Sequence, residues 1–127
     1  MKKANLTHQI IGAAYEVHNT LGFGFLEKVY ENAMIIELTT RGLKVESQKP
    51  LQVFYKSHLV GDYRADLWVE NQIIVELKSI TDICPEHEVQ LVNYLNATNE
   101  PFGLLINFGI SVQVKRKFRE YRNTRKK

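Results

Sequence analysis

The run Ile73-Ile74-Val75-Glu76-Leu77-Lys78 constrains the fold of this chain more than any other stretch. Its β-branched residues favour a strand, which extends to about Ser79. Side chains alternate along a strand, so Glu76 and Lys78 share one face while Val75 and Leu77 share the other. A carboxylate and an ammonium side by side in an otherwise apolar strand have to pair or bind something, because burying either alone is costly. The plain alternative is an exposed ion pair on a solvated face, which would contribute little.

The elements around that strand come in a restrictive order. Asn5 or Thr7 can cap a first helix, along which Ile10, Ile11, Ala14, Val17 and Leu21 recur at helical spacing. Leu21-Gly22-Phe23-Gly24 breaks it. A second helix is predicted from about Phe25 to Thr40, ended by Arg41-Gly42. Strands follow at Lys44–Gln48, at Leu51–Tyr55 after Pro50, at Leu59–Glu70 and at Ile73–Ser79. Pro85 suits the first turn of a third helix reaching about Ala97. Asn99-Glu100-Pro101 is a break, Phe102–Phe108 a buried type of strand, and Ser111–Phe118 another. The order ααββββαββ suits an α/β unit with a central mixed β-sheet flanked by helices.

With 127 residues, 44% hydrophobic and 24% charged, the chain fits one globular domain and not two. No run of 18 apolar residues predicts a membrane span, and the start has no secretory pattern, so a cytoplasmic location is expected. Cys84, alone, makes neither an internal disulfide nor a multi-cysteine zinc site. The net charge of +3 is uneven. Residues 1–114 hold 9 Lys and Arg against 13 Asp and Glu, whereas residues 115–127 hold 8 basic residues and one acid, Glu120. Lys115, Arg116, Lys117, Arg119 and Arg122 lead a basic end that could attract phosphates, or merely keep the chain soluble. No glycine-rich P-loop and no basic aromatic RNA-reading signature is present.

Polar residues at particular spacings suggest a site. Asp66 precedes Glu76 by ten positions, and directly opposed residues of a hairpin share a face. The two carboxylates oppose each other only if the loop has an odd count, for instance Glu70-Asn71-Gln72, or if a bulge intervenes; a two-residue turn puts Asp66 opposite Leu77. In the second helix the stripe Glu27, Tyr30, Met34, Leu38 brings one carboxylate toward the buried side, where it also suits the helix dipole. In the third, His87, Gln90 and Tyr94 share a face, Gln90 and Tyr94 offering an amide and a hydroxyl, His87 fitting a helix-start residue better than a ligand. Asp66, Glu76 and Glu27 offer the hard oxygens that suit Mg²⁺ or Mn²⁺. A metal so held polarises a phosphoryl oxygen and acidifies bound water; Lys78 could orient or deprotonate that water, or stabilise developing charge.

These residues resemble the PD-(D/E)XK nuclease superfamily, and more narrowly its small GxxExxY proteins. Gly24-Phe25-Leu26-Glu27-Lys28-Val29-Tyr30 matches that name motif. Gly61-Asp62-Tyr63-Arg64-Ala65-Asp66 supplies the acidic residue, with Ala65 where the superfamily motif has proline. Glu76-Leu77-Lys78 is the E-x-K element, and Gln90-Leu91-Val92-Asn93-Tyr94 is similar to the Q-x-x-x-Y motif of the RecB-like branch. Gly103-Leu104-Leu105-Ile106-Asn107-Phe108-Gly109 also looks like the family. The resemblance spans about residues 6–118. It implies a restriction-endonuclease-like core in one domain over 1–118, a basic tail over 119–127, and a Mg²⁺-dependent nuclease site. In that site Glu27, Asp66 and Glu76 would hold metal, with Lys78 catalytic and Gln90 and Tyr94 accessory. DNA is the expected substrate. The competing expectations are a catalytically silent nucleic-acid- or partner-binding module, and a hydrolase of RNA or nucleotides. A homodimer would add phosphate contacts to so short a chain.

Overall fold

The structure is a computed structural model and describes residues 2–120. Two helices come first, α1 (Lys3–Leu21) and α2 (Glu27–Thr40). Strands β1 (Val45–Tyr55), β2 (His58–Val69) and β3 (Ile73–Lys78) follow, then α3 (Pro85–Thr98), β4 (Phe102–Phe108) and β5 (Val112–Phe118). The strands form one sheet in the order β1-β2-β3-β4-β5. Neighbours are antiparallel except β3 and β4, which are parallel and joined through α3. This is the mixed sheet flanked by helices that the element order implies.

The alternation of side chains divides the core between two faces. On one, Leu67, Val75, Leu77, Leu104 and Ile106 of the sheet meet Leu6, Ile10, Tyr30 and Met34 of α1 and α2. On the other, Leu51, Ala65, Ile74 and Leu105 meet Leu91 and Leu95 of α3. All of β4 is buried, including Asn107. The Asn107 amide accepts from the Ile80 N–H at 3.0 Å and donates to the Ile80 carbonyl at 3.0 Å and to Gln113 Oε1 at 2.9 Å. It thereby satisfies a buried side chain and pins the segment that leaves β3.

Several boundaries differ from expectation for local reasons. Helix α1 starts at Lys3 with Lys2 at its N-cap, so Asn5 and Thr7 lie inside it and Thr7 faces the core. Helix α2 starts at Glu27; Phe25 and Leu26 remain in the preceding loop. The two predicted strands Lys44–Gln48 and Leu51–Tyr55 are one strand, β1, giving five strands in the sheet instead of six. Pro50 does not interrupt β1 because β1 is an edge strand, where one side of the backbone needs no ladder partner. Gln48 absorbs the irregularity with φ +55°. Lys115 to Phe118 belong to β5, paired with residues Leu105 to Phe102 of β4, and the Phe118 ring packs on Phe102 at 4.8 Å. Arg122 lies outside the described residues. Among the described residues no helix is long and apolar enough to cross a membrane.

Candidate active site

The β2–β3 hairpin turns through three residues. Val69 pairs with Ile73, and Glu70 and Asn71 both take φ +53°, so the loop is Glu70-Asn71-Gln72. The ladder runs Val69↔Ile73, Trp68↔Ile74, Leu67↔Val75, and the next position would set Asp66 against Glu76. There the backbone pairing stops and side chains replace it. Asp66 Oδ2 accepts from the Leu77 N–H at 2.7 Å, and the Asp66 N–H donates to Glu76 Oε2 at 3.3 Å. The same point is irregular on the other side of β2: Ser47 pairs with Leu67 and Lys49 with Ala65, but Gln48 and Asp66 are not paired. Ala65 packs on the α3 face and Leu67 on the α1/α2 face, so β2 changes face across Asp66. A bulge-like irregularity of this kind re-aims a side chain.

Glu76 is only 6% exposed, on the α3 face. The Tyr63 hydroxyl donates to its Oε1 at 2.5 Å, and the Tyr63 ring stacks on Tyr94 of α3 with centroids 4.2 Å apart. Burial, and then the charge of Asp66, push the Glu76 carboxyl up to about 8, against the opposing hydrogen bonds from Tyr63 and Asp66 and the charge of Lys78. Burial also raises Asp66, to about 6; the Leu77 N–H pulls it down, Glu31 and Glu27 push it up, and Lys78 pulls it down. Tyr63 is held well above the usual phenol range by burial and then by Glu76. Glu76, Lys78, His87, Gln90 and Tyr94 line one crevice of about 10 Å³, room for about one water.

The third expected carboxylate is placed differently. Glu27 is exposed in the first turn of α2 and reaches Asp66 through its charge. Glu31, one turn on, is an addition to the expected residues. It is 4% exposed, accepts from Gln48 Nε2 at 3.1 and 3.3 Å, and pairs with Lys28 at 3.3 Å. Its charge acts on Asp66 more strongly than that of Glu27. The stripe of α2 contains the signal: Glu31 stands four residues after Glu27 and seven before Leu38, on the same face. Among the described residues no group of three or more His, Cys, Asp and Glu side chains is disposed to hold a metal ion. Glu27 acts on Asp66 through its charge, whereas Asp66 and Glu76 are tied together by hydrogen bonds around the end of the ladder. His87, expected only at the helix start, does cap α3, its Nδ1 accepting from the Cys84 N–H at 3.2 Å, and its ring also lines the crevice.

The expected phosphate-binding residues are dispersed. Lys115 and Arg116 are exposed on successive positions of β5 and so point to opposite faces. Lys117 is engaged with Glu88 of α3 at 3.0 Å, and the Arg119 N–H donates to the Pro101 carbonyl at 3.0 Å.

The family model of the PD-(D/E)XK nuclease superfamily matches residues 4–120. The chain belongs to the PD-(D/E)XK nuclease superfamily. Its Asp66, Glu76 and Lys78 occupy one end of the β2–β3 hairpin in that nuclease-like fold. Among solved structures it is similar to the crystal structure of SSO0001, with a TM-score of 0.58 and 16% identity over 77% of this chain. That likeness concerns the fold. The match covers 52% of the SSO0001 chain, so this superfamily member spans about half the length of that protein. A comparison with curated proteins finds no match.

The donors present fit a hard divalent cation. Asp66 and Glu76 are two adjacent, desolvated carboxylates whose charges oppose one another, and a cation would relieve that opposition. Their raised pKa values have a consequence for stability. Between the unfolded carboxylate range and about pH 8 the folded protein binds more protons than the unfolded chain. The contribution of these groups is therefore fully present at low pH and is lost as pH rises through about 6 for Asp66 and about 8 for Glu76. Urea unfolding without metal should show this loss, on the order of a few kcal/mol, and Glu76→Gln should flatten most of it. Mg²⁺ should raise the midpoint more at about pH 8 than at about pH 5, because the ligands must first ionise. A wild-type profile identical to that of Glu76→Gln would contradict the burial-driven shift.

Proposed function

We propose that this chain is a Mg²⁺- or Mn²⁺-dependent nuclease that hydrolyses DNA phosphodiester bonds, and that it belongs to the small GxxExxY proteins with a Q-x-x-x-Y element like that of the RecB-like branch. Residues 1–118 act in this reading as one cytoplasmic nuclease-like unit, followed by a basic tail over 119–127. The single observation that carries it is the meeting of Asp66 and Glu76 where the β2–β3 ladder breaks, with Lys78 two residues on. Asp66 and Glu76 would hold the cation, and Glu27 would add its charge from the start of α2. When bound, the cation supplies polarisation of a phosphoryl oxygen and acidification of water. Lys78 orients the attacking water or stabilises charge developing on the phosphate. Gln90 and Tyr94, on the wall of the same crevice, position the phosphate or the attacking water. Tyr94 also holds the Tyr63 ring whose hydroxyl fixes Glu76.

The test is a titration of Mg²⁺ and Mn²⁺ against single-stranded, double-stranded and branched DNA, with matched RNA. Metal-dependent cleavage of DNA supports the reading; cleavage of RNA alone moves the substrate; intact substrates throughout refute it. A second reading, a silent binding module with a nuclease fold, is favoured by one observation, the exposure of Glu27 in the first turn of α2. It predicts DNA binding without cleavage at any metal concentration. In both readings the basic end grips phosphates, a role that a homodimer would double. Because β5 runs to Phe118, cutting after Val114 would remove half a strand. Cutting after Glu120 instead removes Arg122, Arg125, Lys126 and Lys127. It should weaken DNA binding and flatten its salt dependence, by about 0.7–0.9 in slope for each phosphate that those residues neutralise. An unchanged slope would remove the tail from the interface.

A further inference from the structure

Two loops hold apolar side chains in solvent near the end of β3. Phe23 and Leu26, between α1 and α2, are 62% and 79% exposed, and Ile110, between β4 and β5, is 75% exposed. Phe23 and Ile110 line a cavity of about 280 Å³ together with Gly24, Ser79, Thr81 and Phe108. The cavity adjoins the site along the chain from two directions. Ser79 directly follows Lys78, and Leu26 directly precedes Glu27, whose charge reaches Asp66. The Ser79 hydroxyl donates to the Phe25 carbonyl and ties the end of β3 to the α1–α2 loop.

Buried contacts fix this exposure. The Tyr30 hydroxyl donates to the Gly22 carbonyl at 2.6 Å, and the Tyr30 ring stacks on Phe108 at 4.4 Å. His18 Nε2 lies 2.8 Å from the Gly109 carbonyl and anchors the second loop. Phe23 stands between Gly22 at φ +77° and Gly24 at φ +103°, a backbone path open mainly to glycine. Scattered apolar residues on a surface are ordinary. A group braced by the core at the end of β3, next to the proposed phosphodiester site, calls for a ligand that brings an apolar face together with its phosphate. In a polynucleotide that face is the base. A duplex hides it in the stack, whereas a single strand presents it to side chains.

We infer that Phe23 and Ile110 form a stacking site for an unpaired nucleobase beside the scissile phosphate, which makes single-stranded DNA the preferred substrate. The position of the cleaved bond rests on the nuclease reading; the stacking itself does not.

Fluorescence anisotropy without divalent metal tests the stacking apart from cleavage. The probes are a labelled oligothymidylate, the same strand with abasic sites, and a blunt duplex of equal length. The oligothymidylate should bind more tightly than the duplex. Phe23→Ala and Ile110→Ala should each weaken it about tenfold and leave the duplex unchanged. Phe23→Tyr, which keeps the ring, should retain binding, and thermal melts identify any variant that has lost its fold. The abasic strand should bind the wild type weakly and Phe23→Ala no worse. Equal affinity of Phe23→Ala and wild type for the single strand overturns the inference. So does a Phe23→Ala variant that only changes a dimer to a monomer in sedimentation, since the patch would then join copies of the chain. Stacking with no cleavage in Mg²⁺ or Mn²⁺ refutes the nuclease reading and leaves the base site standing. Single-strand cleavage that is undiminished in Phe23→Ala does the reverse.

Discussion

Exchanging Glu76 for alanine should abolish metal-supported hydrolysis, by on the order of a thousandfold or more, while the fold persists. The persistence follows from the position of Glu76. It is buried against its own preference for the charged form, so its removal relieves a desolvation penalty and frees the hydroxyl of the half-exposed Tyr63 to bond water. Glu76→Gln is the stricter variant. Its amide can face Tyr63, whose hydroxyl then accepts, and its oxygen can still take the Asp66 N–H, so side-chain volume and bonding survive and only the charge is lost. Lys78→Ala should lose activity to a similar degree, since its ammonium is the cation of the E-x-K element. Lys78→Arg should recover little, because a planar guanidinium does not replace a compact ammonium. Circular dichroism and a melt alongside the rate assay separate lost chemistry from lost structure. Undiminished hydrolysis by Glu76→Ala would mean that the cleavage belongs to another site or to a contaminant.

Tyr30 should prove the costliest residue of the name motif to remove, for reasons of architecture. It is fully buried, stacked on Phe108, and its hydroxyl holds the Gly22 carbonyl. Tyr30→Ala should destabilise by about 3–5 kcal/mol, as truncation of a buried aromatic ring does. Tyr30→Phe keeps the stack and loses the hydrogen bond, at about 1–2 kcal/mol. Denaturant midpoints measure both. Wild-type stability in Tyr30→Phe would show that water replaces the hydroxyl at Gly22 without loss.

Much of this arrangement is legible in the residues. The Phe102–Phe108 run reads as a buried strand and is one. The ten-residue interval from Asp66 to Glu76 ties a shared position to an odd loop, and the hairpin has the three-residue loop. The illegible parts depend on tertiary context. Pro50 reads as the start of a strand because nothing in the sequence tells that β1 is an edge. Gln48, in a left-handed conformation, carries no local signal, since its side chain is committed to Glu31 on a helix far away in sequence. Glu31 shares a face with Glu27 and Leu38, a signal overshadowed by Tyr30 and Met34, which fill the apolar stripe without it. For Glu27, sequence gives only proximity to the buried side of α2. The structure leaves it exposed in the first turn of the helix.

The Leu77 N–H, bound to Asp66 Oδ2 where a ladder carbonyl would otherwise stand, gives the sheet a built-in reporter. One oxygen of Asp66 already accepts from the backbone, which leaves the other the freer for a further bond. Protonation, or a cation at that other oxygen, draws electron density from the same carboxyl group and so weakens a hydrogen bond of the main chain. The amide resonance of Leu77 should therefore move with both pH and divalent salt, giving a spectroscopic view of site loading that needs no substrate.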